Sequence, residues 1–537
     1  VHTGGRSFEG QKAWLGPRNM VLLLERHPHY LEMVQAYIAA DPLRPLRQAA
    51  ALQLAVATSP DRGVLHVIHH HGGGTETHVR ALIRASRDRW RHYLAIAVGD
   101  DWQIEEHRTD GTVVTFDLQL GAHERWRDFV EGICATFGIA LIHLHNISAC
   151  RDGILTALED LPVPYGYTVH DLNFACPTIT FLGPDGRYCG AQTDPAICNR
   201  CLAAQPLFVD VDIEAWRARH HALLARAVFR IAPSRWTAAT LHRYFPDCPA
   251  TVIAHGAVSP ALSPLTATPA LSVPDDGIPT VALLGAIGPD KGARRIERLL
   301  ELARMHEAPV RFVLIGYMDV EHGPMQTPDA RFTVHGRYLA ADLPALLQHY
   351  RAALVLFPSA GPETFSYTLT EAWIAGVPAV VPPIGALAER MHAGGAGIVL
   401  TDDEWRDDAK MFARVMALLD DDARAERTAM AARALVVQHA TIAAMTGRTF
   451  ELYAQARATK VVASVTARPF EAGRVRAALH YVPWKPPAPA AAAAAEHGWI
   501  ARLARAALHR RQTLAGRILV RCTPAPVRAA LRARLKP

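Results

Sequence analysis

The segment GPETFSYTLTEAWIAGVPAVVPP occupies Gly361–Pro383 and follows the apolar run ALVLFPS. The run predicts a buried β-strand, and TLTEAWIAGVP predicts a helix that is closed by Gly376 and Pro378. VPAVVPP then predicts a second strand. A strand, a helix and a strand in this order indicate two parallel strands joined by a crossover helix. Glu363 therefore lies in the loop at the carboxyl end of the first strand.

Glu363 and Glu371 are the two acids of this segment, eight positions apart, with Glu371 two turns down the helix on roughly the same side. The backbone N–H groups of residues 365–368 lie at the positive end of the helix, which suits a diphosphate. One carboxylate can accept hydrogen bonds from a sugar and the other from a ribose. The alternative is that Glu363 caps the helix and Glu371 is a surface residue, and spacing favours neither. The candidate ligand-binding residues at the helix start are Phe365, Ser366 and Tyr367.

The same alternation of strand-like and helical patterns extends over most of the chain. It begins at Gly63, where GVLHVIHH leads through HGGGTETHVRALIRASRDR into a helical pattern, and it restarts with TVALLGAIG after a Pro-rich stretch at 257–279. Strands that alternate with helices predict parallel sheets covered on both faces. We expect two α/β lobes of similar size, joined by one linker, with a ligand cleft between them at the carboxyl ends of the strands.

Length and charge narrow the class of protein. A chain of 537 residues is too long for one ordinary core, and half of its residues are apolar. No uncharged apolar run reaches 18 residues, so we expect no transmembrane helix, and no signal peptide is visible. Ten Lys or Arg residues and no acidic residue lie in His497–Pro537, so the basic character belongs to a C-terminal tail.

The tail predicts an amphipathic helix. Its apolar stripe, surrounded by arginines, is typical of a helix on an anionic membrane surface, and a helix packed on the body or a disordered arm is the alternative. No aromatic residues lie among the arginines, so we do not expect nucleic acid as a partner.

Four of the eight cysteines fall within 26 residues, with the last two in a Cys-x2-Cys spacing. In a large chain without a secretion signal this cluster favours a metal over disulfides. Four thiolates suffice for tetrahedral Zn²⁺, so we expect a structural zinc site; the alternative is four reduced cysteines in an irregular insertion. The predicted ligands are Cys176, Cys189, Cys198 and Cys201.

Glu363-x7-Glu371 in FPSAGPETFSYTLTEAWIAGVPAVV resembles the signature of retaining family 4 glycosyltransferases of the GT-B fold, in which two Rossmann-like lobes face each other across a cleft. Further segments resemble the family in the right order over roughly residues 62–450. They are GGGTETHV (72–79), TVHD (168–171) and LLGAIGPDKG (283–292).

The resemblance implies roles for individual residues. Glu363 is expected to contact the donor sugar, Glu371 the nucleoside ribose, and Lys291 the diphosphate. His170 is expected near the reacting sugar carbon, and Gly73, with Gly74 beside it, lets the acceptor-side loop approach the donor. The family implies front-face transfer with retention, in which the leaving phosphate takes the acceptor proton. No metal or other cofactor is expected for catalysis, since no DxD-type motif lies at the predicted donor mouth.

The chain departs from the family pattern in two places. Ala286 stands where an Arg commonly precedes the Lys, so a second cation for the diphosphate is unassigned, with Arg294 and Arg295 as candidates; both also suit a solvated helix face. Thr364 and Ser366 replace glycines of the more usual Glu-Gly-Phe-Gly, which narrows the loop and affects donor choice.

The expected function is transfer of a sugar from a nucleoside diphosphate sugar to a glycan or lipid-linked acceptor in cell-surface polysaccharide or lipopolysaccharide synthesis. The expected location is the cytoplasm, with peripheral contact to the inner face of the membrane through the tail. The alternatives are a GT-B epimerase or phosphorylase, although no lysine suited to a pyridoxal cofactor stands out, and an inactive GT-B scaffold that binds polysaccharide or partner enzymes.

The first 60 residues loosely resemble the last part of family 2 glycosyltransferase modules. With the opening VHTGGRSFEG, which has no starting Met, this suggests the back half of a two-transferase polypeptide. The predicted organisation is an N-terminal segment (1–61), an acceptor-side lobe (62–265) with a Cys-rich insertion (174–204), a donor-binding lobe (275–450), a return helix and connection (451–482), a Pro/Ala linker (483–498) and the basic tail (499–537).

Overall fold

The protein is described from a computed structural model. The described residues are 12–58, 63–98, 100–121, 124–147, 154–155, 158, 161–256, 269–318, 323–420, 423–436, 441–459 and 469–470. The predicted 483–498 linker, the 499–537 tail, and the parts of the 257–279 and 451–482 connections at 257–268, 460–468 and 471–482 lie outside them.

Two sheets organise the described chain, one in a first lobe (63–256) and one in a second lobe (280–420). The first-lobe strands are β1 (Gly63–His69), β2 (Arg91–Val98), β3 (Asp101–His107), β4 (Val113–Gln119), β5 (Ile139–Leu144), β6 (Tyr165–Thr168), β7 (Arg230–Ala232) and β8 (Thr251–Val252). The second-lobe strands are β9 (Thr280–Ile287), β10 (Arg311–Met318), β11 (Met325–Gln326), β12 (Phe332–Val334), β13 (Ala352–Leu356), β14 (Ala379–Val381) and β15 (Gly397–Val399).

Helices cover both sheets. Before and within the first lobe they span Lys12–Arg26, Tyr30–Ala40, Arg44–Thr58, Gly74–Arg84, Trp126–Phe137, Pro195–Ala203, Ile213–Arg226 and Arg235–Tyr244. In and after the second lobe they span Ala293–Met305, Leu343–His349, Tyr367–Ile374, Gly385–Gly394, Asp402–Arg406, Asp408–Leu419, Arg424–Val436 and Ile442–Thr459, with a 3₁₀ turn at Ala340–Asp342.

The second sheet has the order β11-β12-β10-β9-β13-β14-β15 and is parallel except for the two-residue edge strand β11. Central strand β9 shows why the apolar runs are continuous. Val281 and Leu283 pack into the core on one face, whereas Ala282 and Leu284 pack into the core on the other. Because successive side chains of a strand point to opposite faces, a strand covered on both sides must be apolar at every position.

The first sheet has the order β4-β3-β2-β1-β5-β6-β7-β8 and departs from the predicted all-parallel arrangement. Strand β3 is antiparallel to both β2 and β4, and the sequence analysis did not predict it. Only two residues of sequence separate it from β2, too few for a helix, so the strand–helix alternation gave no sign of it. Its charged positions are paired: Arg80 donates two hydrogen bonds to Glu105.

The helices that flank the lobes join the first lobe. On Arg44–Thr58, Leu52 and Ala55 are buried in its core, and Arg44 pairs with Asp117 of β4. At the other end, the helix Ile442–Thr459 buries Tyr453 against β5.

The helix Arg235–Tyr244 contacts the second lobe beside the cleft. Glu389 of the second lobe accepts hydrogen bonds from the backbone N–H groups of Arg235 and Trp236, at the start of the first-lobe helix Arg235–Tyr244. The hydroxyl of Thr237 donates to the carbonyl of Thr364 at 3.2 Å. A carboxylate at a helix N-terminus is favourable because it satisfies free N–H groups at the positive end of the helix dipole.

Candidate functional site

The loop after β9 carries Lys291 toward the loop after β13. Gly292 has φ +92°, and a Cβ there would lie 2.2 Å from the carbonyl oxygen of Pro358. Only glycine allows this approach, because any side chain would collide with fixed backbone. The carbonyl of Asp290 also accepts a hydrogen bond from the N–H of Ala360 at 2.8 Å. The two loops are therefore fastened to each other at the carboxyl ends of adjacent strands.

The contacts between the two loops place Lys291 within electrostatic range of Glu363 and Glu371. The negative charge of Glu363 raises the pKa of the Lys291 ammonium, and Asp290 and Glu371 add to the effect against the opposing effect of burial. Burial raises the pKa of Asp290. One ammonium facing several carboxyl groups is a local charge arrangement suited to a ligand that carries both phosphates and hydroxyls.

Glu363 is held by its backbone. Its carbonyl accepts a hydrogen bond from the N–H of Ala386 at 2.8 Å, and a Cβ on Gly385 would lie 2.9 Å from its backbone N and O. Gly385 has φ +71°, so it meets both the conformational and the steric demand of this contact. The side chain is half-buried and accepts a long hydrogen bond from the Ser359 hydroxyl at 3.4 Å.

Glu371 is half-buried, so the surface-residue interpretation of this acid is wrong. The Tyr338 hydroxyl donates to its Oε2 at 3.3 Å. Burial raises the pKa of Glu371 to about 7, against the opposing effects of the Tyr338 hydrogen bond and the Lys291 charge. Hydrogen bonds donated by ligand hydroxyls would stabilise the charged form of this carboxyl group.

Arg390, which the sequence analysis did not single out, holds the helix start predicted to bind a ligand. Its guanidinium donates to the carbonyls of Phe365 and Ser366, at 2.9 and 2.6 Å, and to the hydroxyl of Thr370 at 2.6 Å. It also lies over the Phe365 ring, 4.1 Å from the centroid. Burial lowers the pKa of Arg390 to about 10. Ser366 itself has φ +72°, an uncommon conformation for a non-glycine residue, and Arg390 stabilises it.

The first lobe meets this helix start through its glycine-rich loop. A Cβ on Gly74 would lie 3.3 Å from the Tyr367 ring, so the bare backbone permits a close approach. Gly73 has φ +79° immediately before the helix Gly74–Arg84. The buried hydroxyl of Tyr367 has no hydrogen-bond partner within the described part of the chain, which leaves it available to a ligand.

His170 follows β6 and faces the second lobe. Its carbonyl accepts a hydrogen bond from the Thr364 hydroxyl at 2.6 Å, and its ring Nε2 lies 3.1 Å from Nδ1 of His145. Burial lowers the pKa of His170 well below its usual range, so its imidazole is neutral. The structure thus brings together Lys291, Glu363, Glu371, His170, Gly74 and the Phe365–Tyr367 helix start.

Of the two candidate second cations, Arg295 packs within the second lobe. Arg295 lies over the Trp405 ring, 5.5 Å from its centroid, and 3.6 Å from Asp408, which is a packing role within the second lobe. Arg294 is exposed on the same helix. The expectation that one of them serves a ligand stays a prediction.

The four predicted zinc ligands lie in the same region but make other contacts. Cys198 accepts from Arg217 at 3.3 Å, and Gln205 donates to Cys201 at 3.5 Å. Cys176 lies 3.2 Å from the Thr178 hydroxyl, and Cys189 is exposed. In the described ranges, three groups of side chains bring their ligand atoms within 4.8 Å of one another, and these cysteines belong to none of them. A zinc site on the cysteines stays a prediction.

The second lobe is similar to a known protein family. Residues 278–421 match the family described as Glycosyl transferases group 1. These residues form a glycosyltransferase domain. The domain contains Lys291, Glu363, Glu371 and Arg390, so the clustered side chains of the second lobe all lie inside it. This confirms the expected enzyme class at the level of the domain.

A solved structure extends the likeness to both lobes. Sucrose-phosphate synthase from Thermosynechococcus elongatus superposes with a TM-score of 0.52 and 16% identity, covering 74% of this chain and 100% of that chain. The expected GT-B fold is confirmed. HepE from Anabaena, solved in complex with UDP-glucose, superposes with a TM-score of 0.49 and 15% identity over 73% of this chain and 100% of that chain.

A curated relative matches a shorter part of the chain. The D-inositol 3-phosphate glycosyltransferase 1 of Catenulispora acidiphila is 41% identical over 98 residues, which are 18% of this chain. The chain spans only 22% of the length of that relative in this match.

None of the helices in the described ranges is both long enough and apolar enough to cross a bilayer.

Proposed function

We propose that the protein is a retaining glycosyltransferase that moves a sugar from a nucleoside diphosphate sugar to a glycan or lipid-linked acceptor in cell-surface polysaccharide or lipopolysaccharide synthesis. The observation that carries this proposal is the fastening of the Lys291 loop to the Glu363 loop through Gly292 and the Asp290 carbonyl. It brings one ammonium within electrostatic range of two carboxyl groups at the carboxyl edge of a glycosyltransferase domain.

The donor is bound mainly by the second lobe. Lys291 and the amide groups at the start of the helix Tyr367–Ile374 neutralise the diphosphate, since both present positive charge to one place. Glu371 accepts hydrogen bonds from the ribose, and Glu363 accepts them from the transferred sugar. Arg390 is not assigned to the diphosphate, because its guanidinium donates to the Phe365 and Ser366 carbonyls and to Thr370; it positions the helix start.

Transfer breaks the bond between the anomeric carbon and the phosphate oxygen and forms a bond from that carbon to the acceptor oxygen on the same face. The acceptor proton passes to the departing phosphate, so no further reactant is needed. Charge builds up on the phosphate and on an oxocarbenium-like sugar, and fixed groups around them lower the barrier. His170, Gly73 and Gly74 confine the sugar from the first-lobe side, supported by the Thr364–His170 hydrogen bond.

The acceptor assignment rests on the basic, amphipathic character of residues 499–537, which suits an acceptor carried on a lipid at the inner face of the membrane. The resemblance of residues 1–60 to family 2 modules suits a two-transferase enzyme of polysaccharide assembly. The curated relative adds D-inositol 3-phosphate to the acceptors worth testing.

Calorimetric titration with UDP, GDP and dTDP tests the donor assignment. We expect one of them to bind, and Lys291→Ala to weaken its affinity by 10-fold or more, since about 1.5–3 kcal/mol is typical of a hydrogen bond to a charged group. Lys410→Ala, which removes an exposed lysine paired with Asp403, is the control and should bind as the wild type does.

Turnover is then screened with sugars on the nucleotide that binds, and the product is examined by NMR for anomeric configuration. An inverted product would contradict retention. Nucleotide binding without turnover of any donor, in the presence of lipid-linked and glycan acceptors, would favour the inactive scaffold. If none of the three nucleotides binds, the donor site is assigned wrongly.

A further inference from the structure

Seven histidines pack together in the first lobe behind the cleft, and the proposed transfer uses only one of them. Six are buried with at most 4% of their surface exposed, and His170 is half-buried. Neighbouring rings lie close, with centroids 3.9 Å apart for His143 and His145 and 4.1 Å apart for His78 and His255. The histidine cluster consists of His66, His78, His92, His143, His145, His170 and His255.

One row of hydrogen bonds through the cluster fixes the proton positions. The Ser86 hydroxyl donates to the carbonyl of Leu82 at 2.6 Å, so its oxygen must accept from Nε2 of His92 at 2.9 Å. In neutral rings, Nδ1 of His92 then accepts from Nε2 of His66 at 3.0 Å, and Nδ1 of His66 accepts from Nε2 of His145 at 3.0 Å. Nδ1 of His145 is then an acceptor and lies 3.1 Å from Nε2 of His170, which donates to it while no ion is bound.

A second branch is already satisfied. His143 uses both ring nitrogens, at 2.6 Å from the Tyr453 hydroxyl and 2.7 Å from the Thr168 hydroxyl. The group of His66, His143 and His145 therefore has little capacity for a ligand, although its atoms are close together. Through His145, this group packs against the rings of His78 and His170.

The front of the cluster is different, because two buried ring nitrogens there have no hydrogen-bond partner within the described residues. Potential ligand atoms of His78, His145 and His170 all lie within 4.8 Å of one another. Nδ1 of His78 and Nδ1 of His255 are buried and have no hydrogen-bond partner among the residues that the structure describes. Unpaired buried nitrogens are costly, and a cation bound by His78 would satisfy the lone pair of that ring.

The distance between two of the three rings suits a bound ion. Nδ1 of His145 and Nε2 of His170 are 3.1 Å apart, and two nitrogens on one tetrahedral zinc are about 3.3 Å apart, given Zn–N bonds of about 2.0–2.1 Å. Nε2–H of His145 donates a hydrogen bond to His66. Metal-bound histidines usually donate the N–H of their second ring nitrogen in this way, because the bond orients the ring and turns the ligating nitrogen, here Nδ1, toward the metal.

We propose that His78, His145 and His170 bind one divalent first-row transition-metal ion, with Zn²⁺ as the best fit to three neutral imidazoles. Three protein ligands leave a fourth position for a water or a substrate oxygen. The site lies in the first lobe and does not involve the diphosphate or the four cysteines. His66, His92 and Ser86 are positioning residues that hold His145 in the ligating tautomer.

The site borders the proposed donor pocket. The His170 carbonyl bonds to Thr364, and the His255 ring stacks 5.6 Å from Tyr367 and contacts Phe365 at 4.8 Å between centroids. A metal here would fix the His170 ring and with it the first-lobe wall of the pocket. The proposal does not depend on the transferase assignment, because metal binding is measured without turnover.

The test uses the full chain with Cys198→Ser and Cys201→Ser, so that thiolates do not compete, after removal of metal with a chelator. Co²⁺ is titrated and followed by its visible absorption, and Zn²⁺ content is measured by mass spectrometry after dialysis. We expect one equivalent of either ion, and a zinc X-ray absorption spectrum with nitrogen or oxygen neighbours and no sulfur.

In that background His78→Ala and His145→Ala should each weaken metal affinity at least 10-fold, and His306→Gln, a second-lobe histidine outside the cluster, should not. Added Zn²⁺ should raise the melting temperature of the parent but not of the two histidine variants, which separates loss of the site from loss of the fold. No stoichiometric binding by the parent, or sulfur in the zinc shell, would overturn the proposal. So would unchanged affinity in His78→Ala.

Discussion

The Thr364 hydroxyl donates a hydrogen bond to the backbone carbonyl of His170, with 2.6 Å between the oxygens. The two residues are 194 positions apart and belong to different lobes. Thr364 follows Glu363 directly, and His170 lies at the end of the first-lobe segment that faces the cleft. One side chain therefore ties the position of the proposed sugar-binding acid to that of the opposite wall.

Thr364→Val keeps the shape of the side chain and removes this donor. We expect kcat/KM to fall by about 5-fold, corresponding to about 1 kcal/mol for a neutral hydrogen bond, with little change in nucleoside diphosphate affinity. Thr428→Val removes a local hydroxyl bond on an exposed helix and is the matched control. Equal losses in both variants would show that the interlobe bond has no specific role.

Glu363→Ala removes the acid proposed to bind the transferred sugar. We expect kcat to fall 100-fold or more while the affinity for the free nucleotide stays within about 3-fold, since the acid contacts the sugar rather than the nucleotide. Glu301→Ala, an exposed acid paired within its own helix, should match the wild type. Turnover that Glu363→Ala leaves unchanged would remove this residue from the site.

Glu371 gives a pH-dependent contribution to stability. Its pKa is about 7 in the folded chain, above the ordinary value of 4.5, so the folded state binds more protons between these values. Stability from this group is therefore present below about pH 4.5 and falls as the pH rises to about 7. Glu371→Gln should lose this dependence and be more stable than the wild type at pH 8 by roughly 1–3 kcal/mol.

Urea unfolding of the wild type and Glu371→Gln at pH 5 and pH 8 measures the difference, and the exposed Glu426→Gln is the control. A difference between the two proteins that is the same at both pH values would show that Glu371 is not desolvated. The same variant should weaken binding of the nucleoside, because the carboxylate is lost as an acceptor.

Arg390→Met keeps much of the side-chain volume and removes three hydrogen bonds from the Phe365–Thr370 segment. We expect a loss of about 2–3 kcal/mol in stability and a drop of about 10-fold in nucleotide affinity, because two buried carbonyls lose their partner and the helix start moves. Arg298→Met, which breaks an exposed pair with Glu301, is the control. Nucleotide affinity that stays at the wild-type value in Arg390→Met would contradict a positioning role.

The cysteine site makes a separate prediction about metal content. Relative to the wild type, Cys198→Ser with Cys201→Ser should lose one zinc per chain, since two of four thiolate ligands are removed. Cys134→Ala, which changes a buried cysteine of the helix Trp126–Phe137, should keep its zinc. If the double variant retains all of its zinc, the cysteines do not bind it.

Local sequence patterns determined the two α/β lobes and most of their strands. β9 and β10 are apolar at successive positions because both faces are covered, and a helix separates them, so pattern and position agree. The same reasoning located Glu363 at the end of β13 and Glu371 in the following helix. It missed β3, because no helical pattern separates this strand from β2 in the sequence.

Only the tertiary structure decided which distant side chains meet. Arg390 lies 24 residues beyond Ser366 and belongs to no recognisable motif, yet its guanidinium donates a hydrogen bond to the Ser366 carbonyl at the start of that helix. The histidines come from β1, β2, β5 and the position after it, the helix after β1 and the segments after β6 and β8, and no single motif in the sequence contains them. Parallel strands bring their carboxyl ends to one edge whatever the length of chain between them, so contacts at that edge depend on strand order, which local patterns do not encode.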